Sequence, residues 1–223
     1  MQKVKELILL KSFNIKKLYD KLIERLKKSK SAQKALRKYN SLSLTPEGLP
    51  KANDLDNATT PEAKAYKRLA SCILRLADAS WWASAPKTKE ANKILSELIL
   101  LVNEGYRIDI LSSPFEEESI KGKLKWCNKN LPKWLFTHFH IRGDKENFAD
   151  SNSLLIDDRE KVCKKFSEKG GHTVLYNNDW LTSLREALKN NNITNIYVDL
   201  DGVLVDTHSQ LIQVLKNLKK GEA

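Results

Sequence analysis

Apolar residues recur at helical spacing through the first hundred positions, and after that in short blocks separated by polar turns. Leu18, Leu22 and Leu26 lie four apart, Ile15 and Ile23 flank the same stripe, and lysines fill the other faces, so a helix is predicted over 3–38. Residues 40–61 carry Ser41, Ser43, Thr45-Pro46, Gly48, Pro50, Asn53, Asn57 and Thr60-Pro61, the composition of a linker. Leu69, Ile73 and Leu76 then set a second helix over 62–79, followed by Trp81 and Trp82. From Lys87 the period changes. Helices are predicted at 88–104, 116–130, 159–169, 179–189 and 207–219, and strands at 106–111, 134–138, 153–156, 172–176 and 196–200. Strands alternating with helices predict a doubly wound parallel sheet, a Rossmann-like α/β fold.

The chain has 223 residues, 41% of them hydrophobic, enough for one domain with a sizeable core, or a domain with a small accessory unit. No apolar run approaches the ~20 residues of a membrane span. Leu7–Leu10 is hemmed in by Lys3, Lys5, Glu6 and Lys11, which does not fit a signal peptide. Cys72, Cys127 and Cys163 fall in no paired or metal-like spacing, so free thiols and a reducing, cytoplasmic setting are expected. The net charge of +11 is concentrated: residues 1–40 hold thirteen Lys and Arg against Glu6, Asp20 and Glu24, a net of +10. That segment suits nucleic acid, nucleotides or an acidic partner, or is simply a solvated helix face.

Candidate chemistry gathers where strands end. Residues 196–206 (IYVDLDGVLVD) place Asp199 and Asp201 one residue apart at the end of an apolar strand, with Gly202 next. Side chains alternate along a strand, but a turn at Gly202 swings Asp201 back toward the same mouth. Strand 106–111 ends in Ser112-Ser113, and strand 153–156 ends in Asp157-Asp158. Lys145 follows the strand at 134–138. A parallel sheet brings its strand C-termini to one edge, so these groups converge. Carboxylates there suit Mg²⁺, while hydroxyls and a lysine offset phosphoryl charge. Each piece has a plainer use: Asp157-Asp158 as a helix cap, Ser112-Ser113-Pro114 as a turn, Lys145 as a solvated cation, Trp81-Trp82 as core packing. His138 and His140 alternate on a possible strand, but without a third ligand they read as structural histidines.

With these residues in view, the chain resembles the haloacid dehalogenase-like (HAD) phosphatases. Asp199-Leu-Asp201-Gly-Val-Leu-Val-Asp206 is similar to their nucleophile motif, Ser112 to the second motif, Lys145 to the third and Asp157-Asp158 to the fourth. The Ser-Ser-Pro turn, Asp144-Lys145 before Phe148-Ala149, residues 154–159 and Asn178-Asp179-Trp180 resemble the 5'(3')-deoxyribonucleotidases. The likeness covers about 80–223. It departs in motif order, which runs second, third, fourth, first. A circular permutation explains that order: residues 1–80 would form the helical cap, 81–223 the α/β core, and the tail after 207 would return toward the cap. The alternative is that the tail opens a second domain and the motif completes a site in another chain.

The resemblance implies roles. Asp199 attacks phosphorus and ligates Mg²⁺. Asp201 moves the proton, and its carbonyl touches the metal. Asp158, with Asp157 beside it, completes the metal site. Ser112, Ser113 and Lys145 hold phosphoryl oxygens, Gly202 permits the turn, and Trp81 or Trp82 stacks on a base. The expected activity is hydrolysis of a (deoxy)nucleoside monophosphate. The rivals are a phosphatase of nucleic-acid ends that uses residues 1–40, and an inactive protein that binds nucleic acid or an acidic partner.

Overall fold

The computed structural model describes residues 2–42, 59–136 and 139–220, with the side chains of 2–13, 136, 219 and 220 left aside. The predicted linker falls largely on 43–58, and His138 on 137–138, both outside the described residues. In chain order the elements are α1 (Gln2–Lys28), α2 (Lys30–Asn40), α3 (Pro61–Leu76), α4 (Ala79–Ala83), α5 (Ala91–Asn103), β1 (Arg107–Ser112), α6 (Glu117–Asn130), α7 (Lys133–Phe136), β2 (Phe139–Ile141), a 3₁₀ turn (Lys145–Phe148), β3 (Ser153–Asp157), α8 (Glu160–Glu168), β4 (His172–Leu175), α9 (Trp180–Asn190), β5 (Asn195–Val198) and α10 (Thr207–Lys220).

Among the described residues five strands form one sheet, all parallel, in the order β2-β1-β5-β3-β4. The fold is therefore α/β and Rossmann-like. Its central strand is β5, the last in sequence. Ile196 lies opposite Ile108 of β1 and Leu154 of β3, and Val198 opposite Ile110 and Ile156. These six alternate residues point to one face, where they meet Ile94, Leu98 and Leu101 of α5, Trp126 and Cys127 of α6, and Trp180 and Leu184 of α9. Each fully buried aliphatic side chain contributes about 1.5–3 kcal/mol. The other face carries Leu111, Leu155 and Tyr197 under Phe166 of α8 and Phe148.

A second cluster is wholly helical. Tyr19, Leu22 and Leu26 of α1, Ala32, Ala35, Leu36 and Tyr39 of α2, and Tyr66, Leu69, Ala70 and Ile73 of α3 bury a common core with Trp81 and Trp82 of α4. Leu211, Val214, Leu215 and Leu218 of α10 complete it. The segments at the two ends of the chain thus share one helical layer, and α4 straddles the boundary expected at 80.

Two local expectations need correction. The single helix over 3–38 is two helices, because Ser29 takes an extended backbone and its hydroxyl accepts the Ala32 N–H at 3.3 Å, capping α2. The strand expected at 134–138 is instead the short helix α7, and strand pairing starts only at Phe139. Leu135 N–H donates to the Pro132 carbonyl, so the proline opens a helical turn where an apolar run suggested a strand. His140 on β2 places Nε2 3.1 Å from Asp109 Oδ2, a structural contact on the second sheet face. Among the described residues no helix is long and apolar enough to cross a membrane, and Cys72, Cys127 and Cys163 are free.

Candidate active site

The site is built on the chain that leaves β5. Asp199 N–H donates to Ile156 O at 2.9 Å, which extends the central strand's pairing by one bond and aims the carboxylate over the sheet edge. A tight turn follows: the Leu200 carbonyl accepts from Leu204 N–H (2.9 Å) and Val205 N–H (2.8 Å). Gly202 sits inside it at φ 81°, a left-handed conformation that other residues adopt only with strain. A Cβ there would also lie 2.1 Å from Asp158 Oδ2, so the Asp158 carboxylate rests against bare backbone that any side chain would displace. The turn brings Asp201 back beside Asp199, as the spacing predicted.

Two buried lysines organise the acids. Lys145, in the 3₁₀ turn, places Nζ 2.7 Å from Asp157 Oδ2 and 2.7 Å from Asp199 Oδ1. Burial favours the neutral amine, but the two carboxylates outweigh it and raise its pKa. Asp157 Oδ1 accepts the Arg159 N–H at 2.9 Å, so this residue orients Lys145 and also supports the chain entering α8. The second lysine, Lys123 of α6, escaped the sequence reading. Its Nζ lies 2.6 Å from Asp201 Oδ2 and 3.0 Å from Ser112 Oγ, and it donates to the Ser113 carbonyl. The Thr207 hydroxyl donates to Asp201 Oδ1 at 2.7 Å. A sequence signal for Lys123 existed: it shares the buried face of α6 with Gly122, Trp126 and Cys127, and a lysine in core phase is rarely idle.

Of the residues singled out from sequence, Asp199, Asp201, Ser112, Lys145, Asp157, Asp158 and Gly202 meet at this edge. Ser113 reaches it through its carbonyl. Trp81 and Trp82 do not offer a stacking face: they are 1% and 5% exposed and pack in the helical core. Gly122 explains the position of Trp82, since a Cβ on residue 122 would come within 2.2 Å of Trp82 Cβ. Trp82 backs the site indirectly, with Lys123 Nζ 5.7 Å from its ring centroid.

The electrostatics are unbalanced. Asp157, Asp158, Asp199 and Asp201 bring four potential negative charges against two ammonium groups. Asp158 records the excess: burial, then the carboxylates of Asp199, Asp157 and Asp201, push its pKa up to about 8. Asp199 is also raised, by burial first, with Asp157 and Asp201 adding and Lys145 opposing. Asp201 goes the other way, because Lys123 and Thr207 overcome its burial and hold it ionised. Oxygens of Asp157, Asp158 and Asp199 lie within 4.8 Å of one another, which fits a divalent cation with oxygen ligands. Since Lys145 and the Arg159 N–H already engage Asp157, Asp158 and Asp199 are the leading ligands.

This charge excess has a measurable consequence. A carboxyl whose folded pKa is raised gives stability that is full below its ordinary value of about 4 and is lost as pH climbs toward about 8. Thermal melts in chelator should therefore show stability falling across that window. Asp158→Asn should flatten the fall. An Asn variant with the same pH slope would mean that Asp158 does not carry the strain.

No family model, curated protein or solved structure matches this chain.

Proposed function

We propose that this protein is a Mg²⁺-dependent phosphomonoesterase of HAD-like type with a circularly permuted chain, acting on a (deoxy)nucleoside monophosphate through an aspartyl-phosphate. One observation carries the reading. Asp199 and Asp201 leave the central strand at the same sheet edge as Ser112, Lys145 and Asp158, so side chains suited to nucleophilic attack, proton transfer, phosphate binding and metal ligation share one site.

Asp199 attacks phosphorus, forming a P–O bond to the carboxylate as the bond to the leaving oxygen breaks. Asp201, ionised at rest, takes up a proton from the monoanionic phosphate ester and passes it to that leaving oxygen, then takes one from the water that opens the aspartyl-phosphate and frees inorganic phosphate. Lys145 and the Ser112 hydroxyl face the phosphoryl oxygens, and Lys123 holds Asp201 between steps. Asp158 and Asp199 would hold a Mg²⁺, which would neutralise phosphoryl charge and let two anions approach each other.

Permutation is supported by the packing of Leu211, Val214, Leu215 and Leu218 of α10 in one helical layer with α1, α2 and α3. Segment 85–88 pairs with the turn after β5: Thr88 N–H donates to Leu204 O at 3.0 Å, Asp206 N–H to Pro86 O at 2.9 Å, and Lys87 bridges Val205. Joining α10 to α1 through the helical layer would place the nucleophile strand first and the cap after it, the order the resemblance calls for. The nucleotide preference rests on the resemblance alone, because both tryptophans are buried. Free thiols support a reducing, cytoplasmic setting.

The test is direct. Purified protein with Mg²⁺ should release phosphate from an aryl phosphate and, faster, from some member of a nucleoside monophosphate panel, and chelator should stop both. An absence of turnover on every phosphomonoester tried would overturn the enzyme reading.

A further inference from the structure

Cations of the helical layer gather at one corner. No Asp or Glu occurs between Glu24 and Glu47. Within that gap Lys27, Lys28, Lys30, Lys34, Arg37 and Lys38 are all exposed. They span the corner where α1 ends and α2 begins. Ser29 fixes the corner, its N–H donating to Arg25 O and Leu26 O and its hydroxyl accepting from Ala32. On α2, Lys30, Lys34, Arg37 and Lys38 lie opposite the buried face of Ala32, Ala35, Leu36 and Tyr39, so they form one outward stripe. Among the described residues no carboxylate pairs with any of the six. Nearby cations are used differently: Lys21 and Arg25 both engage Asp78.

We propose that the α1–α2 corner is a sequence-independent binding surface for the phosphodiester backbone of nucleic acid. Six exposed, like-charged groups on one helical corner, with no carboxylate partner among the described residues, suit a linear polyanion, whose condensed counterions are released on contact. An anionic membrane fits less well. An interfacial helix needs an apolar face for the lipid, and the apolar face of α2 is spent inside the layer; Ile15 is the one exposed large hydrophobic residue described there. An acidic protein partner fits less well too, because the corner lacks the aromatic and apolar anchors that carry most protein interfaces. Without an exposed aromatic ring, the surface reads charge rather than bases.

The experiment uses the full chain and fluorescein-labelled oligonucleotides, one single-stranded and one a duplex of about 20 base pairs, both lacking a terminal phosphate. Its outcome is thus separate from that of the phosphatase assay, and Asp199→Asn should bind as well as the unmutated protein. Anisotropy titrations between about 50 and 300 mM salt should show log–log slopes of about −4 to −5 on the duplex, at roughly −0.9 per phosphate neutralised. K30Q/K34Q/K38Q should weaken binding about tenfold or more at 100 mM salt and reduce the slope by about 2–3. These side chains are exposed, so the variant should melt like the unmutated protein. K161Q/K164Q/K165Q, on the exposed face of α8, should leave binding nearly unchanged. The proposal is overturned by no binding at the lowest salt, by equal effects of the two triple variants, or by binding to phosphatidylserine vesicles in preference to both oligonucleotides.

Discussion

Asp199→Asn should lower phosphate release by about 10⁴-fold or more if, as proposed, Asp199 is the nucleophile. The substitution is nearly isosteric, and Lys145 keeps Asp157 Oδ2 at 2.7 Å, so the lysine is not left buried without a partner. The same change removes one of four crowded carboxyl groups. Burial and its acidic neighbours raise the Asp199 pKa, so its ionised form is held at a cost. In chelator the variant should therefore melt at or above the temperature of the unmutated protein. Dead catalysis with unimpaired stability marks a functional group held against strain. A variant that keeps activity within tenfold would show that Asp199 is not the nucleophile, whatever its stability.

Lys123→Met should produce a different pattern, one that depends on the leaving group. Lys123 and Thr207 together fix both oxygens of Asp201. If Asp201 protonates the leaving oxygen, losing its position harms substrates whose leaving group needs that proton. The kcat/KM for an alkyl phosphate such as a nucleoside monophosphate should fall roughly 100-fold, within the usual range for general acid catalysis. For an aryl phosphate with a good leaving group the fall should stay within about tenfold, because kcat/KM reports only the steps through leaving-group expulsion. Methionine approximates the lysine stem and preserves packing over Trp82. Equal losses on both substrates would reduce Lys123 to a structural part of α6.

Much of this site was legible in the sequence because it sits where strands end. A parallel sheet forces its carboxyl ends to one edge, so Ser112, Asp157-Asp158 and Asp199 needed only correctly placed strands to converge. Gly202 was legible for the same reason, as a turn residue beside a strand end. Lys123 was harder to pick out, because it stands in a row with Lys121 and Lys125, and only its helical spacing from Trp126 and Cys127 marks it as the one on the buried face. Thr207 likewise looked like the first residue of a helix. Trp81-Trp82 misled in the opposite direction: aromatic pairs suit both base stacking and core packing, and Gly122 on a distant helix settles the matter by letting α4 approach. The 134–138 segment failed because an apolar run of that length fits a strand or a helical turn equally well, and Pro132 decided it.

The placement of β5 at the centre of the sheet also governs how the molecule is assembled in time. β1 and β3 share no pairing of their own; each bonds to β5. Until residue 195 has been made, the sheet is two separate halves, β2-β1 and β3-β4, each with an unpaired edge and an apolar face awaiting cover. The strand that joins them arrives with Asp199 and Asp201 attached, and α10 follows to close the helical layer. Long-range pairings of this kind form late and slowly. A chain that stops before residue 195 therefore has neither a continuous sheet nor the full cluster of acids.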